Sequence, residues 1–395
     1  MRVSYFHYIY NVPGPLIHMN EFAQAFRGLG HEINLHAMDT EPLAPSLGWR
    51  AKEILKRPLG RYLHELNTIR KDYSCYRRER HIVQEEKPDL ILDRYHLYHS
   101  SASFVARRAG LPLVLWLDAP AAYEQRKYLR EFFRIPGLAE WIEKTMIQRA
   151  NQVVAVSEEI ERYLPPGCAP TSGIQVVPNG VDPEKFSPSL EGRGLCAKFP
   201  FSDPMVLGFV GSFSPWHGIE SLKSWMAYAL SSFEKTCFLL VGDGPRRRDL
   251  EKFVRTGGWD PRRVCFTGHV EHSEVPLYIA AMDLCLLPYD QGSEGFYFSP
   301  LKLFEYLASG KPVLSAGIGQ VRKVVKDGVN GMCYSSTSPD EAFPKFKQLI
   351  ENPALRKQLG EAARRTILEN YTWVHTARAS EKIFNEVLAR HRSVS

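Results

Sequence analysis

Short apolar runs alternate with helical stretches along the first half of the chain. The runs are VSYFHYIY, EINLHA, DLILD, LPLVLWL, QVVAV and IQVVP, and they lack regular polar alternation. Parallel strands have this continuous apolar character because helices cover both faces of their sheet. The second half repeats the rhythm with MVLGFVG, CFLLVG, VCFTG, DLCLLP and KPVLSA. The pattern therefore predicts an α/β protein with two doubly wound domains.

The segment from residue 179 to residue 204 separates the two halves and is rich in Pro, Gly and Ser. We interpret it as a linker, because a chain of 395 residues suits two domains. The predicted division is a first domain over 1–190, a second over 191–370, and a C-terminal helix over 371–395 that crosses back to the first domain. Open parallel sheets bind ligands at the carboxyl ends of their strands, so the cleft between the domains is the expected site.

The composition is typical of a soluble globular protein, with 44% hydrophobic and 24% charged residues. The longest clear apolar run, LPLVLWL, is too short to cross a bilayer. The N-terminus leads directly into a strand and lacks the pattern of a signal peptide. The seven cysteines include no CxxC pair, which favours reduced thiols. The sequence therefore predicts a cytoplasmic protein.

The net charge of +6 is unevenly distributed. Residues 50–80 contain ten Lys or Arg against four Asp or Glu. Such a segment is typical of a solvated helical face, and it also fits peripheral contact with anionic lipid at the inner membrane face or with a phosphorylated acceptor. Because no helix-turn-helix, zinc spacing or aromatic stacking motif accompanies the charge, nucleic acid is not an expected partner.

Lys302 lies in the first turn of a predicted apolar helix over about residues 300–309. Ser299 suits the N-cap and Pro300 the first helical position. A lysine here faces the positive end of the helix dipole, which is unfavourable by up to about 1 kcal/mol. A bound anion would reverse that sign, so Lys302 is a candidate anion ligand. The alternative is a surface ion pair with Glu305, three residues further on.

Eight motifs carry a resemblance that covers essentially the whole chain. In order they are NVPGPLIHMNEFAQAFRGLGHEI, WLDAPAAYEQRKY, VVAVSEEI, VVPNGVDPEKF, FVGSFSPWHGIESL, LLVGDGP, FTGHV and FYFSPLKLFEYLASGKPV. In these motifs the chain resembles the retaining GT-B glycosyltransferases of family 4 type (glycosyl transferases group 1). The resemblance implies two Rossmann-like domains facing a cleft. It also implies transfer of a sugar from a nucleotide diphosphate sugar to an acceptor hydroxyl in cell-surface glycan or glycolipid synthesis.

The resemblance implies that the donor diphosphate lies at the start of the 300–309 helix. Its oxygens would accept hydrogen bonds from the N–H groups of Leu301 and Lys302, the Ser299 hydroxyl and the Lys302 ammonium. Glu305 would accept hydrogen bonds from the ribose. The remaining residues that the resemblance assigns to donor binding are Gly211, Ser212, Phe213, Gly242, His269, Val270, Phe298 and Pro300.

Three positions near the predicted donor site depart from the family pattern. Relatives often carry an arginine and a lysine where this chain has Ser212 and His217. We predict that His217 acts as a catalytic donor to the diphosphate, charged or neutral, and its alternative is a helix-capping residue packed on Trp216. The first glutamate of the family's usual pair is Tyr297 here. Glu294, or the backbone of residues 296–299, is then the candidate sugar contact, with a solvated loop acid as the alternative reading of Glu294.

Three residues of the first domain are further candidates. Gly14, between two prolines, fits a stiff loop that lines the cleft, or an ordinary turn. Asp118 follows the strand LPLVLWL and is a candidate catalytic residue, although relatives often have a histidine in this region. His18 fits either a structural residue of the first helix or an acceptor contact.

No cofactor or metal is expected besides the nucleotide diphosphate sugar as co-substrate. The chain contains no D-x-D pair, the arrangement that typically holds a divalent cation at the diphosphate. The expected partners are this donor and a sugar or lipid-linked acceptor. Two alternatives are a sugar-nucleotide 2-epimerase of the same fold and a non-catalytic sugar-nucleotide-binding protein.

Overall fold

The structure is a computed structural model in which the chain divides into two compact units. Unit 1 comprises residues 1–178 and 373–395, and unit 2 comprises residues 179–372. The described residues are 1–8, 13–38, 59–128, 135, 137–168, 170, 172–289, 296–335 and 339–394. The candidate Glu294 and residues 50–58 of the basic segment lie outside them.

Unit 1 is built on a parallel sheet with the strand order β2-β1-β3-β4-β5-β6. The strands are β1 (Arg2–His7), β2 (Glu32–Ala37), β3 (Leu90–Arg94), β4 (Leu113–Leu117), β5 (Gln152–Ala155) and β6 (Ile174–Val176). Every residue of β3, β4 and β5 is buried, which explains why their sequences show no polar alternation. In register, Phe6 of β1 lies beside Asp93 of β3, and Arg94 of β3 beside Trp116 of β4.

Helices cover the sheet of unit 1. They are α1 (Pro13–Gly28), α2 (Leu59–Glu86), α3 (Ser101–Ala109), α4 (Ala121–Tyr128), α5 (Leu138–Arg149) and α13 (Trp373–Val394). The C-terminal helix α13 packs on α1, where the rings of Phe26 and Phe384 lie 5.6 Å apart. His31, shortly after α1, forms a 2.8 Å ion pair with Glu381 of α13. The last helix of the chain is thus part of the first unit.

Unit 2 contains a second parallel sheet, with the order β12-β11-β10-β7-β8-β9. Its strands are β7 (Met205–Val210), β8 (Thr236–Val241), β9 (Val264–Phe266), β10 (Leu284–Leu287), β11 (Val313–Ala316) and β12 (Met332–Tyr334). Its helices are α6 (Ile219–Ser232), α7 (Arg247–Thr256), α8 (Val275–Ala280), α9 (Leu301–Ala308), α10 (Gly319–Val324), α11 (Ala342–Glu351) and α12 (Pro353–Asn370). Within the described residues, two six-stranded parallel sheets with flanking helices confirm the predicted α/β class.

The boundary between the units differs from the predicted one at residues 190 and 191. Residues 179–190 belong to unit 2. Val181 pairs with Thr372, and Phe186 is buried in the hydrophobic core of unit 2. The segment 179–204, interpreted as a linker, is therefore fastened to unit 2, because its few apolar side chains insert into that core. The second boundary falls after residue 372 instead of residue 370.

Among the described residues, no helix is both long enough and apolar enough to cross a bilayer.

Candidate functional site

Two loops of unit 2 meet where the strand order of the sheet reverses. Residues 211–218 follow β7, and the described residues 288–289 and 296–300 follow its neighbour β10. Gly218 has φ +64°, and a Cβ atom there would lie 1.5 Å from the carbonyl oxygen of Pro288. The two loops are thus in direct backbone contact, and only glycine fits at this point. Such a reversal is where doubly wound sheets bind their ligands.

The ammonium of Lys302 is buried at this meeting point. Its Nζ lies 4.4 Å from the centre of the Phe209 ring, and it has no hydrogen-bond partner among the described residues. A Cβ atom on Gly211 would lie 2.5 Å from Nζ, so a glycine leaves the space that the ammonium occupies. Burial lowers the pKa of Lys302 to about 7, although the nearby Glu305 carboxylate opposes this effect. A buried, unpaired ammonium is unfavourable by itself, and an anion would relieve that cost.

The start of α9 differs from the predicted capping arrangement. Pro300, not Ser299, is the N-cap residue, and no side chain of the described residues caps the helix. Ser299 instead pairs with Asn179: its hydroxyl oxygen accepts a 3.2 Å bond from the Asn179 N–H, and its carbonyl accepts a 2.6 Å bond from the Asn179 amide. The Ser299 hydroxyl therefore keeps its own hydrogen for donation. The first turn of α9 is left without a side-chain acceptor next to Lys302.

His217 is buried in the same loop pair and caps its own short turn. Its Nδ1 accepts a hydrogen bond of 3.4 Å from the N–H of Ser214, so the neutral ring carries its proton on Nε2. Burial, together with the Lys302 charge, holds the pKa of His217 well below its usual range. An imidazolium at this position is therefore disfavoured at neutral pH. His217 can still act as a neutral donor through Nε2, and its ring centre lies 6.1 Å from that of Trp216.

The glycines of neighbouring loops pack against residues 211–213. A Cβ atom on Gly242 would lie 2.1 Å from the Gly211 carbonyl oxygen, and one on Gly244 would lie 1.6 Å from that of Ser212. Phe213 is buried with φ +40°, an uncommon backbone conformation for a bulky residue. The Ser212 hydroxyl lies 2.9 Å from that of Ser214. Close backbone packing thus fixes the loops that follow β7 and β8.

The third strand in this row, β9, is followed by the predicted donor residues His269 and Val270. The Gly242 N–H donates a 3.0 Å bond to the carbonyl of Gly268, which directly precedes His269 and Val270. The side chain of His269 is exposed, and its Nε2 lies 3.4 Å from Glu271. The predicted donor residues 211–213, 242 and 269–270 therefore lie at the carboxyl ends of the adjacent strands β7, β8 and β9.

The alternative reading of Lys302, a surface ion pair with Glu305, is not observed. Oε1 of Glu305 lies 2.8 Å from Nε2 of His272, whose Nδ1 lies 3.2 Å from the ammonium of Lys185. Sequence reasoning missed His272, Lys185 and also Asn179. The available signals were the motifs that contain or border them, VVPNGVDPEKF and FTGHV, but their contacts join residues far apart in the chain.

The residue in place of the family's first glutamate is a core residue. Tyr297 is fully buried, and its ring centre lies 4.4 Å from that of the half-buried Phe298. Gly319, with φ +44°, approaches this stretch so closely that a Cβ atom would lie 2.4 Å from the Phe296 carbonyl oxygen. The side chain of Tyr297 is therefore used for packing within unit 2.

Two of the three candidates of unit 1, His18 and Asp118, contact the buried guanidinium of Arg94. The guanidinium of Arg94 pairs with the carboxylate of Asp118 and donates a 2.6 Å bond to Nδ1 of His18. Arg94 is only 2% exposed, so Asp118 compensates a charge that is otherwise buried. Burial raises the pKa of Asp118 against the opposing effect of Arg94. Burial also holds the pKa of His18 well below its usual range, with Arg94 adding to the effect.

Gly14 does not lie in a loop. It belongs to the first turn of α1, where Pro13 is well suited because its missing N–H is not needed there. A Cβ atom on Gly14 would meet nothing within 4 Å, so no close approach requires glycine at this point.

In the part of the chain that the structure describes, no group of three or more His, Cys, Asp and Glu residues is placed to hold an ion.

Comparison with known proteins agrees with these features. The family model described as Glycosyltransferase Family 4 matches residues 14–185, and the model described as Glycosyl transferases group 1 matches residues 204–352. The 2-deoxystreptamine glucosyltransferase of Streptomyces kanamyceticus is 26% identical over 255 residues, which cover 64% of each chain. An uncharacterized glycosyltransferase of Methanocaldococcus jannaschii is 28% identical over 249 residues, 62% of this chain and 61% of its own. The match thus spans less than two thirds of either relative.

Solved structures resemble the chain over nearly its whole length. Sucrose-phosphate synthase from Thermosynechococcus elongatus has a TM-score of 0.73 at 18% identity, covering 98% of this chain and 99% of its own. Anabaena HepE in complex with UDP has a TM-score of 0.72 at 16% identity, covering 98% and 100%. These similarities show the fold, and the two family models together span most of the sequence. The chain belongs to the family 4 glycosyltransferases of the GT-B fold.

Proposed function

We propose that the protein is a retaining glycosyltransferase that moves a sugar from a nucleoside diphosphate sugar to an acceptor hydroxyl. The buried ammonium of Lys302, which has no hydrogen-bond partner among the described residues, carries this proposal. It lies in the first turn of α9 next to Gly211, where the strand order of unit 2 reverses. A diphosphate supplies the anionic oxygens that this ammonium and the helix N–H groups lack. HepE has been solved with UDP and with UDP-glucose, which supports a nucleotide sugar as the donor.

The protein's contribution to the reaction is stabilisation of the departing diphosphate. Lys302, the Ser299 hydroxyl, Nε2 of His217 and the first N–H groups of α9 are the groups that would donate hydrogen bonds to it. Donors that are already oriented toward a developing negative charge lower the barrier most effectively. Because these groups can neutralise the leaving group, we propose that the reaction needs no divalent metal. Retention follows from front-face attack, in which the departing diphosphate takes the proton of the acceptor hydroxyl.

Unit 1 is proposed to face the acceptor side of the reaction. Named relatives include the 2-deoxystreptamine glucosyltransferase and a GDP-mannose-dependent phosphatidylinositol monomannoside mannosyltransferase. They support a sugar-like or lipid-linked acceptor, as in cell-surface glycan or glycolipid synthesis. Arg70, Arg77 and Arg80 of α2 are exposed and free to approach anionic lipid headgroups. We therefore propose a cytoplasmic enzyme that contacts the inner face of the membrane.

Two measurements test the proposed function. Thermal denaturation with UDP-, GDP- and ADP-sugars should give a rise in melting temperature for at least one donor, since binding to the native state stabilises it. Incubation with that donor, labelled in its sugar, should then give a labelled acceptor product. An isomerised sugar nucleotide would indicate an epimerase, and unchanged donor would indicate a binding protein. Either result, or no thermal shift with any donor, contradicts the proposal.

A further inference from the structure

Lys185, His272 and Glu305 form a continuous chain of polar contacts within unit 2. The Lys185 ammonium lies 3.2 Å from Nδ1 of His272, and Nε2 of His272 lies 2.8 Å from Oε1 of Glu305. Glu305 and His272 are largely buried, with 9% and 23% of their side chains exposed. The Phe186 ring lies against the imidazole at a centroid distance of 5.6 Å. The imidazole is therefore held by contacts with Lys185, Phe186 and Glu305.

The direction of the hydrogen bonds along this chain follows from the chemistry of its ends. An ammonium can only donate, so Nδ1 of His272 accepts from Lys185. The proton of the neutral ring is then on Nε2, which donates to the Glu305 carboxylate. Oε1 of Glu305 is engaged in this bond, and no described residue bonds Oε2. The chain thus leaves one carboxylate oxygen for a ligand.

The turn that carries Lys185 is itself firmly fixed. The carboxylate of Asp182 accepts bonds from the N–H groups of Glu184 and Lys185, at 2.9 and 3.3 Å. Nη1 of Arg364 donates to the carbonyl oxygens of Pro183, Phe186 and Ala308 at 2.7 to 2.8 Å. The last of these carbonyls belongs to α9, the helix that also contains Glu305. The guanidinium of Arg364 therefore bonds both the VDPEKF turn and α9, and holds the two together.

The same contacts keep Glu305 from its nearest competing partner. Lys302 and Glu305 are three residues apart on α9, a spacing at which such side chains often pair. In the structure Glu305 binds His272 instead, and Nζ of Lys302 has no partner among the described residues. Holding the carboxylate on the imidazole thus leaves the ammonium for an anion. The ammonium of Lys302 and the carboxylate of Glu305 are therefore each available to a different group of one ligand.

We propose that His272, oriented by Lys185, is a positioning residue that holds Glu305 ready to accept hydrogen bonds from the ribose hydroxyls of the donor. This inference rests on the proposed function, because it assumes that a nucleotide sugar binds beside α9. It gives the VVPNGVDPEKF motif a function, because Lys185 of this motif contacts His272 and Asn179 bonds Ser299. It also names a specificity: the site selects ribonucleotides over nucleotides that lack ribose hydroxyls. If Glu305 is no longer held in this orientation, the preference for ribonucleotides is the first property that the site loses.

The test compares a ribonucleotide with its 2′,3′-dideoxy analogue by titration calorimetry. UDP, GDP or ADP is used, whichever stabilises the wild-type protein most. We expect the wild type to prefer the ribonucleotide by about tenfold or more, the value of one or two hydrogen bonds to a charged group. His272→Leu should bring the ratio of the two dissociation constants close to one, while affinity for the dideoxy analogue changes by less than about twofold.

Matched variants separate positioning from folding. In His272→Gln the side-chain amide donates to Glu305 and its carbonyl accepts from Lys185, so the preference should be restored. Lys185→Met should lower the preference less than His272→Leu, and it remains informative if the leucine variant fails to fold. Lys223→Met removes an ammonium from another ion pair of unit 2, with Glu220 at 3.1 Å, and should leave both affinities unchanged.

The outcomes distinguish this inference from the function on which it rests. If no nucleotide binds the wild-type protein, the proposed function fails. If nucleotides bind but His272→Leu keeps the wild-type preference for the ribonucleotide, only the role of His272 is overturned. A loss of affinity for both analogues alike, without restoration by His272→Gln, shows a merely structural histidine and also overturns the inference.

Discussion

Gly211 and Lys302 lie so close together that a Cβ atom at position 211 would be 2.5 Å from the lysine Nζ. A Gly211→Ala substitution must therefore displace the ammonium, and the flexible end of a lysine moves at little cost to folding. The new Cβ atom would also lie 3.1 Å from Cζ of the buried Phe209 ring, which would have to shift slightly. We expect about tenfold weaker binding of a nucleoside diphosphate sugar. The free energy of unfolding should change by less than about 1 kcal/mol. Calorimetric titration and thermal denaturation measure the two effects.

The control for this substitution is Gly194→Ala. A Cβ atom at position 194 would meet nothing within 4 Å, so neither affinity nor stability should change. Wild-type donor affinity in Gly211→Ala would contradict the placement of the diphosphate beside Lys302.

Removal of the buried ammonium should affect stability and activity in opposite directions. Lys302→Met keeps the aliphatic stem and removes a charge that has no hydrogen-bond partner among the described residues. We expect the ligand-free protein to gain on the order of 1 to 3 kcal/mol in unfolding free energy. The rate of transfer should fall on the order of 10²-fold, because the leaving group loses its main cation. Denaturant unfolding and initial-rate assays provide the measurements.

Lys311→Met is the matched control, because its ammonium is also largely buried but donates a 2.8 Å bond to the carbonyl of Ala280. This variant should lose stability and keep its affinity for the donor. Normal turnover in Lys302→Met would show that the diphosphate binds elsewhere.

The pKa of Lys302 gives the stabilising effect of Lys302→Met a defined pH dependence. The pKa is about 7 in the folded protein against 10.5 for the ordinary side chain. Between these values the unfolded chain holds a proton that the folded protein has released, so the contribution of Lys302 to the unfolding free energy rises with pH. The advantage of Lys302→Met should therefore be largest near pH 7 and below, and should vanish as the pH approaches 10.5. Denaturation of both proteins from pH 7 upward tests this; a difference that grows with pH would contradict it.

Donor binding should also be coupled to proton uptake through the same lysine. At about pH 8 the free protein holds Lys302 mainly neutral, and the bound diphosphate restores its charge. The other titratable groups nearby are His217, Tyr289 and Glu305, and the pKa of His217 lies well below its usual range, so it stays neutral. Calorimetry with a nucleoside diphosphate sugar in buffers of different ionisation enthalpy should report uptake of about one proton. Equal heats in all buffers would show that Lys302 does not change its charge.

Asp118 is expected to stabilise unit 1 instead of catalysing transfer. Asp118→Asn leaves the buried guanidinium of Arg94 without its carboxylate partner, which should cost about 1 to 3 kcal/mol of unfolding free energy. The double variant with Arg94→Met should be less destabilised than the sum of the two single variants. Unfolding of the wild type, the two single variants and the double variant in guanidinium chloride gives the coupling energy between Asp118 and Arg94. A variant that is fully stable but inactive would return Asp118 to the catalytic candidates.

The two sheets could be predicted from the sequence because central strands such as β3, β4 and β10 are buried on both faces and therefore show continuous apolar runs. The place of Lys302 in the first turn of an apolar helix could also be predicted, and its role as an anion ligand stays a prediction. The contacts that hold this helix in place could not be predicted from the sequence. Asn179 bonds Ser299 across 120 positions of sequence, and His272 bonds Glu305 across 33. Such contacts depend on strand order and on loop packing, which a local pattern of residue types does not contain.

The basic surface of α2 should determine whether the protein binds anionic membranes. Its exposed residues Arg70, Arg77 and Arg80 are suited to charge reversal, whereas Arg78 also donates a 2.7 Å bond to the carbonyl of Met38 and has a structural role. The triple change to Glu should abolish sedimentation with vesicles that contain anionic lipid, because each cation near such a surface contributes about 1 kcal/mol.

The comparison for this change is a triple reversal at other exposed cations, at Lys347, Lys357 and Arg365 of unit 2. It alters the net charge by the same amount and should leave sedimentation intact. Both proteins should hydrolyse or bind the donor as the wild type does, since the substituted side chains are exposed and none of them is assigned to donor binding. Raised ionic strength should weaken sedimentation of the wild type in parallel, because salt screens exposed charges. Equal sedimentation of the two triple variants would show that residues 70–80 form an ordinary solvated surface.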